Sequence, residues 1–231
     1  MALYNRDYNN TPSDIAYETN TATASVTFIK QTYQLLGASM IASALGAYLT
    51  MPYVEIVSNF RWPIFGFVMF MAFFGFSMTR KNNTLHLMAL FVFTFALGVM
   101  IVPLLAFTIA KGNGAFIGNA FLMTSVLFGA LSLFAINSKS DFSSWGKPLF
   151  ITFIIIFIAS LINMFVLHSP MMHVLITAGI LLLFSVFTIY DTQNIANGAY
   201  SSPVDAAVSL FLDFFNMFTA ILQLLGIMGD D

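Results

Sequence analysis

Seven long apolar runs follow one another along the 231-residue chain, and they limit the folds open to it. They cover about residues 31–51, 61–79, 84–110, 114–136, 148–167, 171–197 and 204–228. Each run is near the roughly 20 apolar residues that a helix needs to cross a membrane. In hydrocarbon every backbone polar group must bond within its own segment, so such runs form helices. We therefore predict an all-α integral membrane protein, a bundle of seven transmembrane helices.

The composition excludes several other classes of protein. Charged residues make up only 8% of the chain, against about 25% in a soluble domain. The formal net charge of −2 leaves no basic face for nucleic acid, so no nucleic-acid partner is expected. The absence of cysteine excludes disulfides and thiolate metal sites. The bilayer is thus the main partner of the chain's surface.

The first 25 residues differ from the rest because they are polar and rich in Asn and Thr. They lack the basic start and short apolar core of a signal peptide. We interpret residues 1–25 as a flexible polar N-terminal tail and residues 26–231 as one seven-helix transmembrane domain. In the first helix, Ala38, Ala42 and Gly46 recur every four residues, a spacing that lets two helices approach closely in lipid.

Two of the aspartates lie inside apolar runs. Asp191 is in the sixth run and Asp213 in the seventh, and an ionisable residue within a span is a functional hypothesis by default. Residue 202, in the turn between the two runs, is midway between them. A hairpin folded there predicts both carboxylates at one depth, roughly 10–15 Å from its end at 1.5 Å per residue.

Other polar residues accompany this pair. At 100° per residue, Ser209, Asn216 and Gln223 share one face of the seventh helix with Asp213. The sixth helix has a weaker stripe of Thr188, Asp191 and Asn194, and Asn163 of the fifth helix is a candidate to join them. A purely structural role, in which these groups only bond one another across helices, is the alternative.

The chemistry of two nearby carboxylates depends on their protons. In a low dielectric both cannot ionise easily, so they share one proton and titrate as a coupled unit. Fully ionised, Asp191 and Asp213 offer oxygen ligands to a hard cation such as Ca²⁺, and they are the candidate metal-contacting residues. The pattern predicts a pH-sensitive cation site at a helix–helix gate. No resident cofactor and no catalytic residue are expected, and Ca²⁺ would be the permeant ion.

The two Asp-bearing segments resemble the Bax inhibitor-1 family, also called the transmembrane Bax-inhibitor-motif proteins, in its short bacterial branch. The similar segments are FSVFTIYDTQNI (184–195) and AVSLFLDFFNMFTAILQLLGI (207–227). Weaker similarity lies at Arg80-Lys81, Val102-Pro103 and 160–163. The resemblance implies a seven-helix bundle with the last helix central, in a bacterial inner membrane. It also implies a pH-gated Ca²⁺ leak in which Asp191 and Asp213 sense protons.

The chain departs from the family pattern at an additional Glu–Arg pair. Members often carry a Glu in the second helix and an Arg late in the seventh, where this chain has Val68 and Gln223. Arg80 is then the remaining cation of the second helix that we expect to approach Asp191 and Asp213. Its alternative role is that of a basic residue marking a cytoplasmic loop. Asp205, three residues after Ser202, has the position of a helix cap.

Two other classes of function remain open on the sequence. Intramembrane aspartyl proteases also use two membrane aspartates, and Tyr190-Asp191 matches one of their motifs, but their Gly-x-Gly-Asp element is absent. A non-catalytic regulator or partner of a membrane-bound protease is the other alternative. His86 lies at the start of the third helix with no partner identifiable from the sequence.

Topology is predicted from the distribution of basic residues. Cytoplasmic loops carry an excess of Lys and Arg. The tail and the even-numbered loops hold six of the eight: Arg6, Lys30, Arg80, Lys81, Lys139 and Lys147. The opposite side holds Arg61 and Lys111. We expect the N-terminus in the cytoplasm and, after seven crossings, the C-terminus outside. Reporters active on one side only, fused to each end, check this; both ends reporting the same side would exclude seven full crossings.

Overall fold

The computed structural model describes the backbone of residues 12–229 and the side chains of residues 26–227. Residues 1–11 of the predicted tail, and Asp230 and Asp231, lie outside the described residues. Residues 12–25, also assigned to the tail, have helical backbone and extend the first helix. Within the described part, every regular element is helical.

Seven helical segments, α1 to α7, follow in chain order. The first two are interrupted: α1 runs Pro12–Thr50 and continues through Met51–Tyr53 into Val54–Asn59, and α2 runs Arg61–Phe70, Met71–Gly75 and Phe76–Thr79. The next two are continuous: α3 is Asn83–Ala110 and α4 is Ala115–Asn137. Then α5 comprises Ser143–Trp145, Gly146–Ile162 and Asn163–Leu167, α6 is Pro170–Ala196 and α7 is Pro203–Met228. The Met71–Gly75 and Asn163–Leu167 turns are π-helical.

The predicted number of spans is confirmed. Seven helices of the described chain are long and apolar enough to cross a membrane. At 1.5 Å per residue, the 26 residues of α7 extend for about 39 Å, longer than a hydrocarbon core of roughly 30 Å. The last helix therefore has the length of a full crossing and contains no break at which it would turn back.

Packing within the bundle is uneven. The main contacts of α7 are with α6, α1, α4 and α3, and α1 packs closely along α3. By contrast, α5 contacts mainly α6 and exposes much of its apolar surface. In a membrane protein such exposed apolar side chains face lipid rather than water. The polar residues of α6 and α7 are thereby enclosed, while the outer helices supply the lipid-facing surface.

A close crossing joins α1 and α3. A Cβ added at Gly98 would overlap the backbone carbonyl of Ser43, and one at Gly46 would overlap the carbonyl oxygen of Phe95. Glycine at both positions is what lets the two backbones approach. Of the small residues predicted to pack on α1, Gly46 lies at this crossing, whereas Ala38 and Ala42 are half-buried. The buried face of α1 instead carries Thr32, Leu36, Ser39, Ser43 and Gly46.

Substitution of Gly98 tests the crossing. We expect Gly98→Ala to lower the free energy of unfolding by about 1–3 kcal/mol, the usual cost of overpacking, because the new methyl group has a rigid carbonyl in its way. Gly129→Ala is the matched control, since a Cβ there meets no atom within 4 Å. Thermal unfolding in detergent measures both. Equal stability of the two variants would contradict the close crossing.

Candidate functional site

The turn between α6 and α7 is built by a glycine-dependent helix end. Gly198 has a φ of +72°, a left-handed conformation that favours glycine. The amide of Ala199 donates to the carbonyl of Asn194 at 2.9 Å, and the amide of Gly198 donates to that of Ile195 at 3.2 Å. This pair of bonds is the Schellman motif, which ends a helix and reverses the chain. We call the end of the bundle where α6 ends and α7 begins the hairpin end.

The start of α7 is capped by Ser202. Its hydroxyl accepts a hydrogen bond from the amide of Val204 at 3.2 Å, and Pro203 occupies the first helical position, where its missing amide costs nothing. The prediction that Asp205 is the cap is therefore wrong. A serine directly before the proline is better placed for that role, and the side chain of Asp205 is left for other contacts.

Both predicted aspartates are buried at the hairpin end. Asp191 is 6% exposed and Asp213 is 2% exposed. Asp191 opens a run of five buried residues that continues through Ile195, so α6 is enclosed on all sides at this level. Other helices and the α4–α5 loop surround it. Polar side chains are therefore buried on several faces of α6 here, whereas the sequence predicted a single polar face.

A tyrosine of the turn joins α6 to α7. The hydroxyl of Tyr200 donates to Oδ1 of Asp191 at 2.8 Å and lies 2.9 Å from Oγ of Ser209. A phenol has one proton, so when Tyr200 donates to Asp191 the serine hydroxyl donates to Tyr200. We call the chain Asp191–Tyr200–Ser209 the tyrosine bridge.

Tyr200 keeps its proton through the physiological range. Burial raises the pKa of the phenol, and the nearby negative charge of Asp191 raises it further. Both effects disfavour the phenolate, because a second negative charge would be desolvated beside the first. The bridge therefore keeps a proton donor aimed at Asp191.

Asp213 has a different environment from Asp191. Its Oδ2 is buried and has no hydrogen-bond partner among the described residues. The carboxyl groups of Asp213 and Asp191 lie within electrostatic reach of each other. The pair predicted from the sequence is thus brought together, but one member has a protein donor and the other keeps a free oxygen.

The depths of the two carboxylates differ from the prediction. The turn occupies residues 197–202 rather than centring on residue 202. Counted at 1.5 Å per residue, Asp191 lies about 7 Å before the end of α6 and Asp213 about 15 Å into α7. Ser209, about 9 Å into α7, is close to the level of Asp191, and Asp213 lies one helical turn deeper.

The supporting polar residues predicted on α6 and α7 have different environments. Ser209 belongs to the tyrosine bridge, and Thr188 is fully buried between α6 and α7, where it donates to the carbonyl of Phe184 and lies 3.5 Å from the sulfur of Met217. Asn216 donates to the carbonyl of Leu212 in its own helix, so it offers the pair no bond. Asn194 is buried near the end of α6, and Gln223 is half-buried far along α7.

Asn163 does not join the pair. Its side chain accepts from the amide of Ser169 at 3.0 Å and donates to the carbonyl of Ser169 at 3.2 Å. These bonds close the turn between α5 and α6, at the beginning of α6, whereas Asp191 lies near its end. About 30 Å of helix separates the two positions.

Arg80 pairs with Asp205 rather than with the buried aspartates. Its guanidinium lies 3.1 Å from Oδ2 of Asp205, while Oδ1 lies 3.2 Å from Nε2 of His86. Nδ1 of this buried histidine is 3.1 Å from the hydroxyl of Thr79. These four residues tie α2, α3 and the first turn of α7 together. His86, unassigned from the sequence, has two partners here.

Sequence reasoning missed two residues that shape the site. Tyr200 lies in a turn, where no periodic pattern marks it. Gln193 fixes the α4–α5 loop to α6: it donates to the carbonyl of Ser140 at 2.7 Å and accepts from the amide of Phe142 at 2.6 Å. The buried segment Asp191–Asn194 was a usable signal, since four consecutive polar residues in an apolar run need partners on every side of the helix.

The fold and the site together define a multi-pass helical membrane protein with a buried acidic pair between its last two helices. The sequence model of the family described as "Inhibitor of apoptosis-promoting Bax1" matches residues 25–230. The chain belongs to this family, the Bax inhibitor-1 family, as the two Asp-bearing segments predicted. The match includes both aspartates and all seven spans.

Several bacterial proteins are similar over most of their length. An uncharacterized protein of Helicobacter pylori is 43% identical over 205 residues, covering 89% of this chain and 88% of the relative. An uncharacterized protein of Campylobacter jejuni is 39% identical over 231 residues, covering 97% of each chain. An uncharacterized membrane protein of Vibrio cholerae is 36% identical over 208 residues, covering 88% and 90%.

Removal of Asp205 tests its structural role. We expect Asp205→Ala to lower the free energy of unfolding by about 1–3 kcal/mol, because buried His86 loses the partner of its Nε2. Glu55→Ala removes the same charge from an exposed position and is expected to change stability by less than about 0.5 kcal/mol. Thermal unfolding in detergent compares them. A loss no greater than that of the control would contradict the assignment.

Proposed function

We propose that this protein is a pH-sensitive leak for cations, with Ca²⁺ as the expected permeant ion and with Asp191 and Asp213 as the proton sensor. One observation carries the proposal. Asp213 lies 2% exposed in a membrane helix, beside a second buried carboxyl group, with one oxygen that has no hydrogen-bond partner in the described part of the chain.

Electrostatics explains why that arrangement points to protons and cations. A buried charge without a partner costs several kcal/mol, so it is neutralised by a proton or balanced by an ion of opposite sign. Arg80, the cation expected from the sequence, is engaged with Asp205. Asp213 is therefore balanced by what enters from solution. A proton and a metal cation compete for the same oxygens, and that competition makes cation binding depend on pH.

The ligand set favours passage over storage. Ca²⁺ takes 6–8 oxygen ligands in a tight site, and two carboxylates supply up to four. The described residues contain no group of three or more His, Cys, Asp or Glu side chains placed to hold one ion. An ion at the pair would keep part of its water shell. Conduction requires such weak binding, because an ion that enters must also leave.

Orientation follows from charge. The hairpin end shares its side with Arg80, through Asp205, and with the loop that holds Lys139, through Gln193. This is the side with six of the eight basic residues. We propose that it faces the cytoplasm of a bacterial inner membrane.

We also propose that the protein acts as a channel and not as an enzyme. A test for peptide cleavage in detergent addresses the alternative of an intramembrane aspartyl protease.

The pH dependence of flux tests the sensor. Protonation of the pair removes negative charge from the cation site, so we expect the half-saturating Ca²⁺ concentration to rise on acidification. The midpoint should lie well above 3.9, the value for an isolated aspartate in water. Asp191→Asn and Asp213→Asn should each remove most of this pH response, and the double variant should add little. The measurement is Ca²⁺ entry into liposomes containing purified protein, across pH.

Asp141→Asn is the matched control for these variants. Asp141 is an exposed aspartate of the α4–α5 loop, and a backbone hydrogen bond from Ser143 lowers its pKa, so it stays ionised over the tested range. Its substitution should leave the pH profile unchanged. The sensor is refuted if both single variants of the pair keep the wild-type profile, and independent sites would be indicated by additive effects.

A further inference from the structure

Tyr200 differs from its neighbours in the α6–α7 turn. Asn197, Gly198, Ala199 and Ser201 are exposed, whereas the side chain of Tyr200 is half-buried and bonded to the bundle. The Schellman end at Gly198 produces this direction, because it reverses the chain before Tyr200 is reached. The phenol therefore lies under the turn, between the two helices, rather than in solution.

The tyrosine bridge closes the seam between α6 and α7 on one side of Asp213. It bonds Asp191 of α6 to Ser209 of α7, and Ser209 lies one helical turn nearer the hairpin end than Asp213. The phenol lies between the hairpin end and Asp213 on this seam, so an ion that used the seam would pass it. The bridge also uses one lone pair of Oδ1 of Asp191, so that oxygen is a weaker ligand for a cation while the bond persists.

We propose that Tyr200 is the gate on the hairpin side of the site: with its bond to Asp191 made, the path to Asp213 is closed, and when the bond is broken the path opens. The proposal rests on the proposed leak and adds the residue that controls access. Tyr200 is thus a positioning and gating residue that acts through Asp191.

The strength of the bond sets the expected size of the effect. A hydrogen bond to a charged carboxylate shifts an equilibrium between two states by roughly tenfold or more. The phenol keeps its proton because burial raises its pKa, so ionisation of Tyr200 does not break the bond. The bond is broken when the turn moves the phenol away from Asp191.

The first experiment measures Ca²⁺ flux into liposomes at neutral pH. Tyr200→Phe keeps the ring and removes the hydroxyl, and we expect its maximal flux to rise by about tenfold while the half-saturating Ca²⁺ concentration changes less. A residue with only a structural role would lower flux or leave it unchanged. The matched control is Tyr53→Phe, the same change at an exposed tyrosine remote from the hairpin end, with wild-type flux expected.

The second experiment needs no transport. The chain has no cysteine, so Asp213→Cys introduces a single thiol at the depth of the site. We expect a membrane-impermeant maleimide, applied from the hairpin side, to label it about tenfold faster when Tyr200→Phe is also present. Tyr53→Phe in the same background should leave the rate unchanged. If Tyr200→Phe speeds labelling but the wild-type protein carries no Ca²⁺ flux, the proposed leak is refuted. Control of access by Tyr200 is then still supported.

Ser209→Ala provides a second variant if Tyr200→Phe unfolds in detergent. It removes the hydroxyl that holds the phenol from α7, so the bond of Tyr200 to Asp191 is weakened but not removed. Flux and labelling should therefore rise in the same direction by a smaller factor. The gate is overturned if labelling at position 213 is unchanged by whichever of the two variants folds. It is also overturned if wild-type flux responds to pH and the same variant fails to increase it.

Discussion

Hydrocarbon offers no hydrogen-bond partners, and this constraint governs every polar side chain on the seven spans. Most hydroxyls satisfy it locally, as Thr124 and Thr177 do by donating to the carbonyl four residues earlier in their helices. A carboxylate has no such solution, because it accepts bonds and the helix's own amides are already used. Asp191 and Asp213 must therefore lie inside the bundle, and the packing of α6 against α7 follows from enclosing them.

The two aspartates meet this constraint in different ways. Asp191 receives a hydrogen bond from Tyr200, whereas Oδ2 of Asp213 has no partner among the described residues. The surroundings of the pair are therefore unequal: the protein supplies a donor to one carboxylate and leaves an oxygen of the other without a partner in the described chain. The leak and the gate on the hairpin side that we propose both rest on this asymmetry.

A frame of buried bonds holds the hairpin end in shape. Gln193 fixes the α4–α5 loop, and the hydroxyls of Ser132 and Thr192 lie 3.3 Å apart between α4 and α6. On the opposite flank, Asp205 joins Arg80 and His86 to the first turn of α7. Both ends of the turn that carries Tyr200 are thus anchored by buried bonds to neighbouring helices and to the α4–α5 loop.

Length and hydropathy alone determined the seven spans, since only helices of about 20 apolar residues satisfy their backbone in lipid. The same rule marked Asp191 and Asp213, because a charge within a span is too costly to be incidental. Tertiary structure decided the partners. Arg80 forms an ion pair with Asp205, Asn163 bonds to the turn before α6, and Tyr200 donates to Asp191. Periodicity fixes which face of a helix a residue occupies. It carries no information on where a glycine-ended helix reverses, and at Gly198 that reversal set the level of the tyrosine bridge and the relative depth of the two carboxylates.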